Sequence, residues 1–199
     1  MIDLFLKGGP IMWPILATSI VALTAALERI FFVFLEATRR NCRQESEIIT
    51  LVEQGDIASA VKLGRDSQDF VVRALIKALE HPSRFSDAIL AAARQELRRY
   101  SRGLTILDTI ITLAPLLGLL GTVTGMIRSF GMLGGTELGA PTAITGGIAE
   151  ALIATAFGLG VAITALLPFN YLNSCEEKAR LALQDAASQI ELLLKEAVR

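Results

Sequence analysis

One acidic residue lies inside an otherwise uncharged stretch of this sequence. Glu150 is surrounded by the small and apolar residues that run from Gly146 to Thr155. An ionised carboxylate is costly in hydrocarbon, so such a residue normally faces a bundle interior or a water-filled path. The simpler interpretation is that Glu150 lies in the headgroup zone about one turn into a helix, where the helix dipole favours an acid. The residues alone leave both interpretations open.

Two threonines place hydroxyl groups in neighbouring apolar stretches. Thr122 and Thr155 fall in the middle of predicted membrane spans, where hydroxyls can hydrogen-bond across helices or line a polar path. In the competing interpretation each hydroxyl bonds a backbone carbonyl of its own helix. The sequence contains no phosphate-binding loop, nucleophile elbow, dinucleotide motif or metal-type cluster. No enzyme activity, cofactor or metal site is therefore predicted, and an ion gradient across the membrane is the candidate energy source for a protein with intramembrane polar groups.

Small residues recur around these positions at helical spacing. Such stripes let two helix backbones approach closely. The spacing does not say whether the partner helix belongs to the same chain, to another copy or to a different protein. Because three spans make a thin bundle, oligomerisation is favoured. The predicted packing residues are Gly118, Gly121 and Gly125 on one span and Gly147, Ala151, Ala154 and Gly158 on the next.

The elements that must position these residues are membrane spans. Of 199 residues, 52% are hydrophobic, and the mean hydropathy of +0.52 implies that part of the apolar surface faces lipid. Three predominantly apolar runs are long enough for a ~30 Å hydrocarbon core. The first run is long for a cleaved signal peptide, the competing interpretation. A net charge of -1 offers no basic excess for nucleic acid.

Polar helical segments join and follow the spans. Between the first two spans, apolar residues recur at helical spacing, with breaks predicted at Gly55-Asp56 and at His81-Pro82-Ser83. Asp56 and Ser83 are predicted to cap the helices that follow. After the third span, apolar residues share one side of an amphipathic extension, and we expect that side to pack on protein.

The orientation follows from lysine and arginine, which are enriched on the cytoplasmic side of membrane spans. Arginines follow the first span and precede the second. On the other side of the membrane, the only basic residues are Lys7 and Arg128. The N-terminus is therefore predicted to face outwards and the C-terminus to face the cytoplasm. The predicted segments are 1–10 (external N-terminus), 11–35 (first span), 36–103 (cytoplasmic helical domain), 104–131 (second span), 132–140 (external loop), 141–175 (third span) and 176–199 (cytoplasmic amphipathic helix).

Two strings in the membrane spans resemble the ExbB/TolQ/MotA family. They read APLLGLLGTVTGMI at residues 114–127 and GIAEALIATAFGL at residues 147–159. The opening GGPIMWP at residues 8–14 and the Gly55-Asp56 pair are similar to the same family, so the resemblance covers nearly the whole chain. The short external N-terminus and the modest cytoplasmic domain favour an ExbB-like member over a MotA-like one.

The resemblance implies an all-α membrane protein of the bacterial inner membrane. It implies three transmembrane helices with long cytoplasmic helical extensions, in a homo-oligomeric, pentameric ring around a pore, with the N-terminus in the periplasm. It also implies an ExbD/TolR-like single-span partner, whose membrane aspartate takes and releases a proton, and a TonB-like energy transducer. Matched residue by residue, Thr122 and Thr155 correspond to pore-facing threonines, and Glu150 to a glutamate near the pore. The implied function is conversion of the proton motive force into mechanical work, and the process that is energised stays open.

Two other functions compete with this one. A self-sufficient ion channel or small transporter would use Glu150 as its ion site and need no partner. A passive membrane scaffold would tolerate Glu150→Gln and Thr122→Ala. A proton-flux assay on the purified chain alone separates the first from a partnered machine, which conducts little without its partner.

Overall fold

The computed structural model describes residues 2–131 and 140–196, and their regular secondary structure is helical throughout. The predicted external loop at 132–140 lies outside the described residues, apart from Ala140, as do the last three residues of the predicted C-terminal segment. The all-α fold class is confirmed for the described ranges. The elements are α1 (Ile2–Lys7), α2 (Met12–Thr38), α3 (Cys42–Glu53), α4 (Ile57–Gly64), α5 (Phe70–Leu79), a 3₁₀ turn (Pro82–Arg84), α6 (Phe85–Ser101), α7 (Leu104–Gly131) and α8 (Ala140–Glu196).

Three of the helices are suited to a bilayer. In the described part of the chain, α2, α7 and the Thr145–Lys195 part of α8 are long and apolar enough to cross a membrane. Each buries no more than 28% of its most apolar stretch, so most of those side chains face lipid or other protein. The chain is therefore a membrane protein. The large exposed apolar residues include Leu23, Leu27, Leu116, Leu119, Ile163 and Leu167.

The residues form two compact units, to which α2 and α8 both contribute. The membrane unit comprises Met1–Glu28 and Gly103–Asn170, and the polar unit comprises Arg29–Arg102 and Tyr171–Arg199. A glycine with φ +85°, Gly103, separates α6 from α7. That conformation strains any residue with a Cβ, so glycine is the residue best suited to this position.

The polar unit has its own hydrophobic core, centred on α5. Eight of the ten residues of α5 are buried, so this helix is covered almost all round and not only along one stripe. Leu183 and Ile190 of α8 are buried in the same cluster. The prediction that the apolar side of the C-terminal extension packs on protein is therefore confirmed.

The predicted caps of the polar helices have different outcomes. Asp56 is confirmed as the N-cap of α4: its side chain accepts a bond from the backbone N–H three residues on, and Gly55 before it has φ +80°. The prediction for Ser83 is wrong, because this residue lies inside the 3₁₀ turn and α6 begins at Phe85 without a side-chain cap. Proline fixes φ near helical values, so the turn already starts at Pro82.

A buried ionic cluster joins three helices of the polar unit. The Nη2 atom of Arg73 on α5 lies 3.0 Å from Glu36 Oε1 on α2 and 2.7 Å from Glu96 Oε2 on α6. The two carboxylate side chains are 2% and 5% exposed, so the cluster is almost dry. Burial raises the pKa of the Glu96 carboxyl, but the hydrogen bonds and charges of Arg73 and Arg99 outweigh burial and hold that pKa below its usual value.

A second buried carboxylate connects the end of α2 to the start of α5. Asp69 caps α5 by accepting from the Val71 N–H at 2.8 Å. It also accepts from the Asn41 N–H at 2.7 Å and pairs with Arg40 at 2.6 Å. One side chain therefore satisfies donors from two segments that lie far apart in sequence.

Candidate functional site on the α7–α8 pair

Small residues hold α7 and α8 at close range. A Cβ placed at Gly118 would lie 3.0 Å from the Cα of Thr155, and one placed at Gly125 would lie 3.0 Å from the Cβ of Ala151. The two small-residue stripes therefore pack on each other within one chain, which is one of the three alternatives that the spacing left open. The residues at this contact are Gly118, Gly121, Gly125, Gly147, Ala151, Ala154 and Gly158.

Replacing Gly158 by alanine is expected to destabilise the membrane unit. The added Cβ would lie 2.5 Å from the carbonyl oxygen of Ala114 and 3.0 Å from the Cα of Gly118. Both are backbone atoms, so the two helices must move apart. We expect a loss of about 1–3 kcal/mol, as for other overpacked contacts, measured as a lower melting temperature of the detergent-solubilised protein.

Gly160 provides a matched control for that substitution. It lies on the same helix two residues later, and a Cβ there meets nothing within 4 Å. Gly160→Ala should leave stability unchanged or raise it slightly, because alanine is the better helix former. Equal melting temperatures for Gly158→Ala and Gly160→Ala would contradict the described α7–α8 contact.

The two threonines bond differently. Thr155 is partly buried and its Oγ1 donates to the backbone oxygen of Gly118 on α7 at 3.0 Å. Thr122 instead donates to Leu119 in its own helix at 2.7 Å. Thr122 therefore follows the simpler interpretation of an intramembrane threonine, whereas Thr155 joins the two helices.

Glu150 is not at the start of its helix. Because α8 begins at Ala140, Glu150 lies ten residues in, about 15 Å along the axis. The helix dipole acts mainly within the first turn, so the interpretation of Glu150 as a marker of the helix start is wrong. Its carboxylate is 28% exposed and lies 3.2 Å from Arg128 Nη1 on α7. The two opposite charges form an ion pair between the helices.

The N-terminal turn also contacts Glu150. Gly9 has φ +73°, and a Cβ placed there would overlap the Glu150 carboxylate. Glycine is thus required at this position for two reasons: the backbone conformation disfavours a Cβ, and the carboxylate occupies the space that a Cβ would need. The Arg128–Glu150 pair and the turn around Gly9 consequently form one contact within the membrane unit.

Glu150 and Thr155 lie on different sides of α8. They are five residues apart, which separates them by about 140° around the helix axis, and Ala151, Ala154 and Gly158 lie between them. On α7, Arg128 and Thr122 are likewise about 120° apart, with Gly121 and Gly125 between them. The α7–α8 pair therefore has two sides: the acidic side, with Arg128 and Glu150, and the threonine side, with Thr122 and Thr155.

Helix α2 packs on the acidic side. Ile153 and Phe157 lie within about 60° of Glu150 on α8, and Leu117 lies within about 20° of Arg128 on α7. The threonine side is therefore the side opposite to α2. The cluster that α2 forms with the pair contains Met12, Ile15 and Ala154, with Ile153, Phe157 and Leu117 packed against them.

The Arg128–Glu150 pair was not predicted from the sequence, in which Arg128 entered only the argument on membrane orientation. The sequence feature that could have indicated the pair is one basic residue and one acidic residue on consecutive membrane spans. Within the ranges that the structure describes, no group of three or more His, Cys, Asp or Glu is placed to hold a metal ion.

Much of the chain, including this helix pair, matches a known family. Residues 65–185 match the MotA/TolQ/ExbB proton channel family. The chain belongs to this family. The matched region contains α5 to α7 and most of α8, and hence Thr122, Glu150 and Thr155. The family resemblance that the two membrane strings indicated is therefore confirmed.

Individual relatives extend the similarity of this MotA/TolQ/ExbB family member to nearly its full length. A biopolymer transport protein of Synechocystis sp. named ExbB-like 1 is 40% identical over 98% of this chain and 80% of its own. Another from Synechocystis sp., ExbB-like 3, is 34% identical over 96% of this chain and 93% of its own. The ExbB protein of Neisseria gonorrhoeae is 44% identical over 40% of this chain and 36% of its own. The chain is accordingly an ExbB-like member of the family.

Proposed function

We propose that this ExbB-like chain is a stator and proton-channel subunit of the bacterial inner membrane. It forms a pentameric ring around an ExbD/TolR-like single-span partner with a membrane aspartate, and the complex converts the proton motive force into mechanical work. Relatives named biopolymer transport proteins support energised transport as the process. A TonB-like transducer would carry the work onwards. The N-terminus faces the periplasm and the C-terminus the cytoplasm.

The observation that carries this proposal is the position of Thr122 and Thr155 on the side of α7–α8 opposite to α2. In a ring of such chains, one side of each helix pair faces the lumen. The acidic side is already occupied by α2 and the N-terminal turn. The threonine side is thus the one available to line the lumen and meet the partner helix.

In the proposed mechanism, a proton from the periplasm is taken by the partner's aspartate, passes along the threonine side and leaves to the cytoplasm. The Thr155 hydroxyl donates a hydrogen bond to the backbone oxygen of Gly118, so the lone pairs of Oγ1 remain to accept from water or the partner. Each charge that crosses supplies about 2.3 kcal/mol per 100 mV of membrane potential. Glu150, paired with Arg128, holds the N-terminal turn and shapes the local field without itself carrying the proton.

The second candidate is a self-sufficient ion channel or small transporter with Glu150 as the ion site. The ion pair argues against it, because Arg128 already lies 3.2 Å from the carboxylate. A bound cation would have to displace the guanidinium.

Native mass spectrometry combined with proton flux tests the proposal. The chain is expressed with its neighbouring genes, extracted in detergent, counted and then reconstituted into vesicles loaded with a pH-sensitive dye. We expect five copies with a small single-span protein, little flux from the chain alone, and flux under an imposed potential when the partner is present. A monomer or dimer that conducts alone, and stops conducting as Glu150→Gln, would replace this proposal with the second candidate.

A further inference from the structure

Asp108 is a charged residue of α7 to which the proposed mechanism assigns no role. From Gly103 to Gly131, Asp108 and Arg128 are the only charged residues in the sequence. Asp108 lies in the second turn of α7, and Arg128 lies near the other end. The carboxylate is thus at the end of α7 from which protons would leave in the proposed orientation.

The helix geometry puts Asp108 on the threonine side. Positions 108, 115 and 122 are spaced by seven residues, and each step of seven turns the position by only about 20°. Asp108 therefore lies within about 40° of Thr122 and about 21 Å from it along the helix axis. The buried residues Leu107 and Ile110 lie on the other face.

The surroundings of Asp108 are polar and open. Its side chain is exposed, and among the described residues it has no ion pair and no side-chain hydrogen bond. Three exposed threonines lie to one side of it on the same helix: Thr105, Thr109 and Thr112. A carboxylate without a countercharge at the edge of a membrane is stable only where water reaches it. The end of α7 that carries Asp108 is therefore a hydrated face.

A further polar atom lies on the same side of α7, between Asp108 and Thr122. Pro115 has no N–H, so the backbone carbonyl of Ile111 receives no helix bond from it. That oxygen is free to accept from water about one turn above Asp108. Water and the partner helix would span the remaining distance to Thr122, about 15 Å.

We infer that Asp108 is the proton acceptor at the cytoplasmic end of the path. The carboxylate takes the excess proton that the partner's aspartate has released to the water along the threonine side, and it becomes a neutral carboxylic acid. It then gives the proton to cytoplasmic water and is restored, so no other reactant is consumed. The inference rests on the proposed function and adds an exit group to it.

The experiment compares Asp108→Asn with Asp108→Glu in the reconstituted complex with its partner. Asparagine has the same size but cannot take up a proton, whereas glutamate can. We expect Asp108→Asn to lower the proton flux about tenfold, which corresponds to about 1.4 kcal/mol on the barrier, with unchanged copy number by native mass spectrometry. Asp108→Glu should keep most of the flux. Asp185→Asn, an exposed aspartate of the polar unit, is the control and should conduct like wild type.

Each outcome decides the inference. Wild-type flux in Asp108→Asn overturns it while leaving the proposed function standing. An Asp108→Asn chain that no longer assembles with its partner also overturns it, because a proton-accepting role leaves assembly intact. Equal loss in Asp108→Glu and Asp108→Asn would show that the flux does not follow the ability of this side chain to take up a proton, and contradicts the inference. A wild-type complex that does not conduct removes the proposed function and this exit group with it.

Discussion

The Thr155→Val variant is expected to lose at least about nine-tenths of the partner-dependent proton flux, equivalent to about 1.4 kcal/mol on the barrier. Valine keeps the branched shape of threonine but has no hydroxyl. The hydroxyl of Thr155 on α8 donates a hydrogen bond to the Gly118 backbone oxygen on α7, at 3.0 Å. Removing it deletes a polar group from the threonine side without opening a cavity. The measurement is proton flux into vesicles under an imposed potential, with the partner present.

A purely structural role for Thr155 predicts a different result. Hydrogen bonds between membrane helices contribute about 0.6 kcal/mol on average, so Thr155→Val should change the melting temperature only slightly. Thr155→Ser retains the hydroxyl and should retain most of the flux. A loss of flux that is rescued by serine, at unchanged stability and copy number, identifies the hydroxyl as the active feature.

Two other threonines extend this experiment, one as a control and one as a second test of the threonine side. Thr164 lies on the same helix about 180° around from Thr155, and its hydroxyl bonds Gly160 and Val161 of its own helix at 3.0 and 2.9 Å. Thr164→Val should conduct normally. Thr122→Val removes the other hydroxyl of the threonine side and should also reduce flux. Normal flux in Thr155→Val would exclude Thr155 from the path.

The helical architecture could be predicted from the sequence because it depends on local patterns. Long apolar runs predict membrane helices by length alone. Asp56 after Gly55 predicts a helix start because aspartate caps well and glycine accepts the left-handed turn. The apolar side of the C-terminal extension predicts burial on protein, and Leu183 and Ile190 are indeed buried there.

The depth of Glu150 in its helix follows from where that helix begins. The predicted third span starts at residue 141, and proline is favoured in the first turn of a helix. The helix α8 begins at Ala140. A start at Pro141 puts Glu150 about two and a half turns inside the helix, which does not fit the interpretation of Glu150 as a marker of the helix start.

Contacts between segments that are distant in the chain could not be predicted from the sequence. Helical spacing identified the packing face of Gly118 and Gly158 but not the helix that covers it. Charges at positions 36, 73 and 96 are separated by dozens of residues, and no periodicity connects them. Only the fold of α2, α5 and α6 brings Glu36, Arg73 and Glu96 together.

Replacing Arg73 by alanine is expected to produce the largest loss of stability in the polar unit. Arg73 is the cation that contacts both Glu36 and Glu96. Its removal leaves Glu36, whose side chain is 2% exposed, without that countercharge. Breaking a buried pair in this way costs about 3–5 kcal/mol. Glu96 retains Arg99 at 3.0 Å, so we expect a value near the lower end, about 3 kcal/mol.

Thermal melting followed by helical circular dichroism measures this loss. A change of about 3 kcal/mol corresponds to roughly 10 °C in a chain of this size. Adding Glu36→Gln to Arg73→Ala should recover part of the stability, because an unpaired buried amide costs less than an unpaired buried charge. Arg73→Lys should fall between wild type and Arg73→Ala, since an ammonium keeps the charge but lacks the planar guanidinium that serves two carboxylates.

Arg43→Ala is the matched control for the loss of an arginine. Its pair with Glu47 at 3.2 Å is in solvent, with side chains 90% and 48% exposed, and an exposed pair of this kind contributes about 0.5 kcal/mol or less. If Arg43→Ala and Arg73→Ala had the same melting temperature, the buried cluster would contribute no more to stability than a surface pair. A large loss in Arg73→Ala alone, relieved by Glu36→Gln, would instead show that the cost lies in the buried carboxylate. Arg73 would then be required chiefly because Glu36 and Glu96 are already buried beside it.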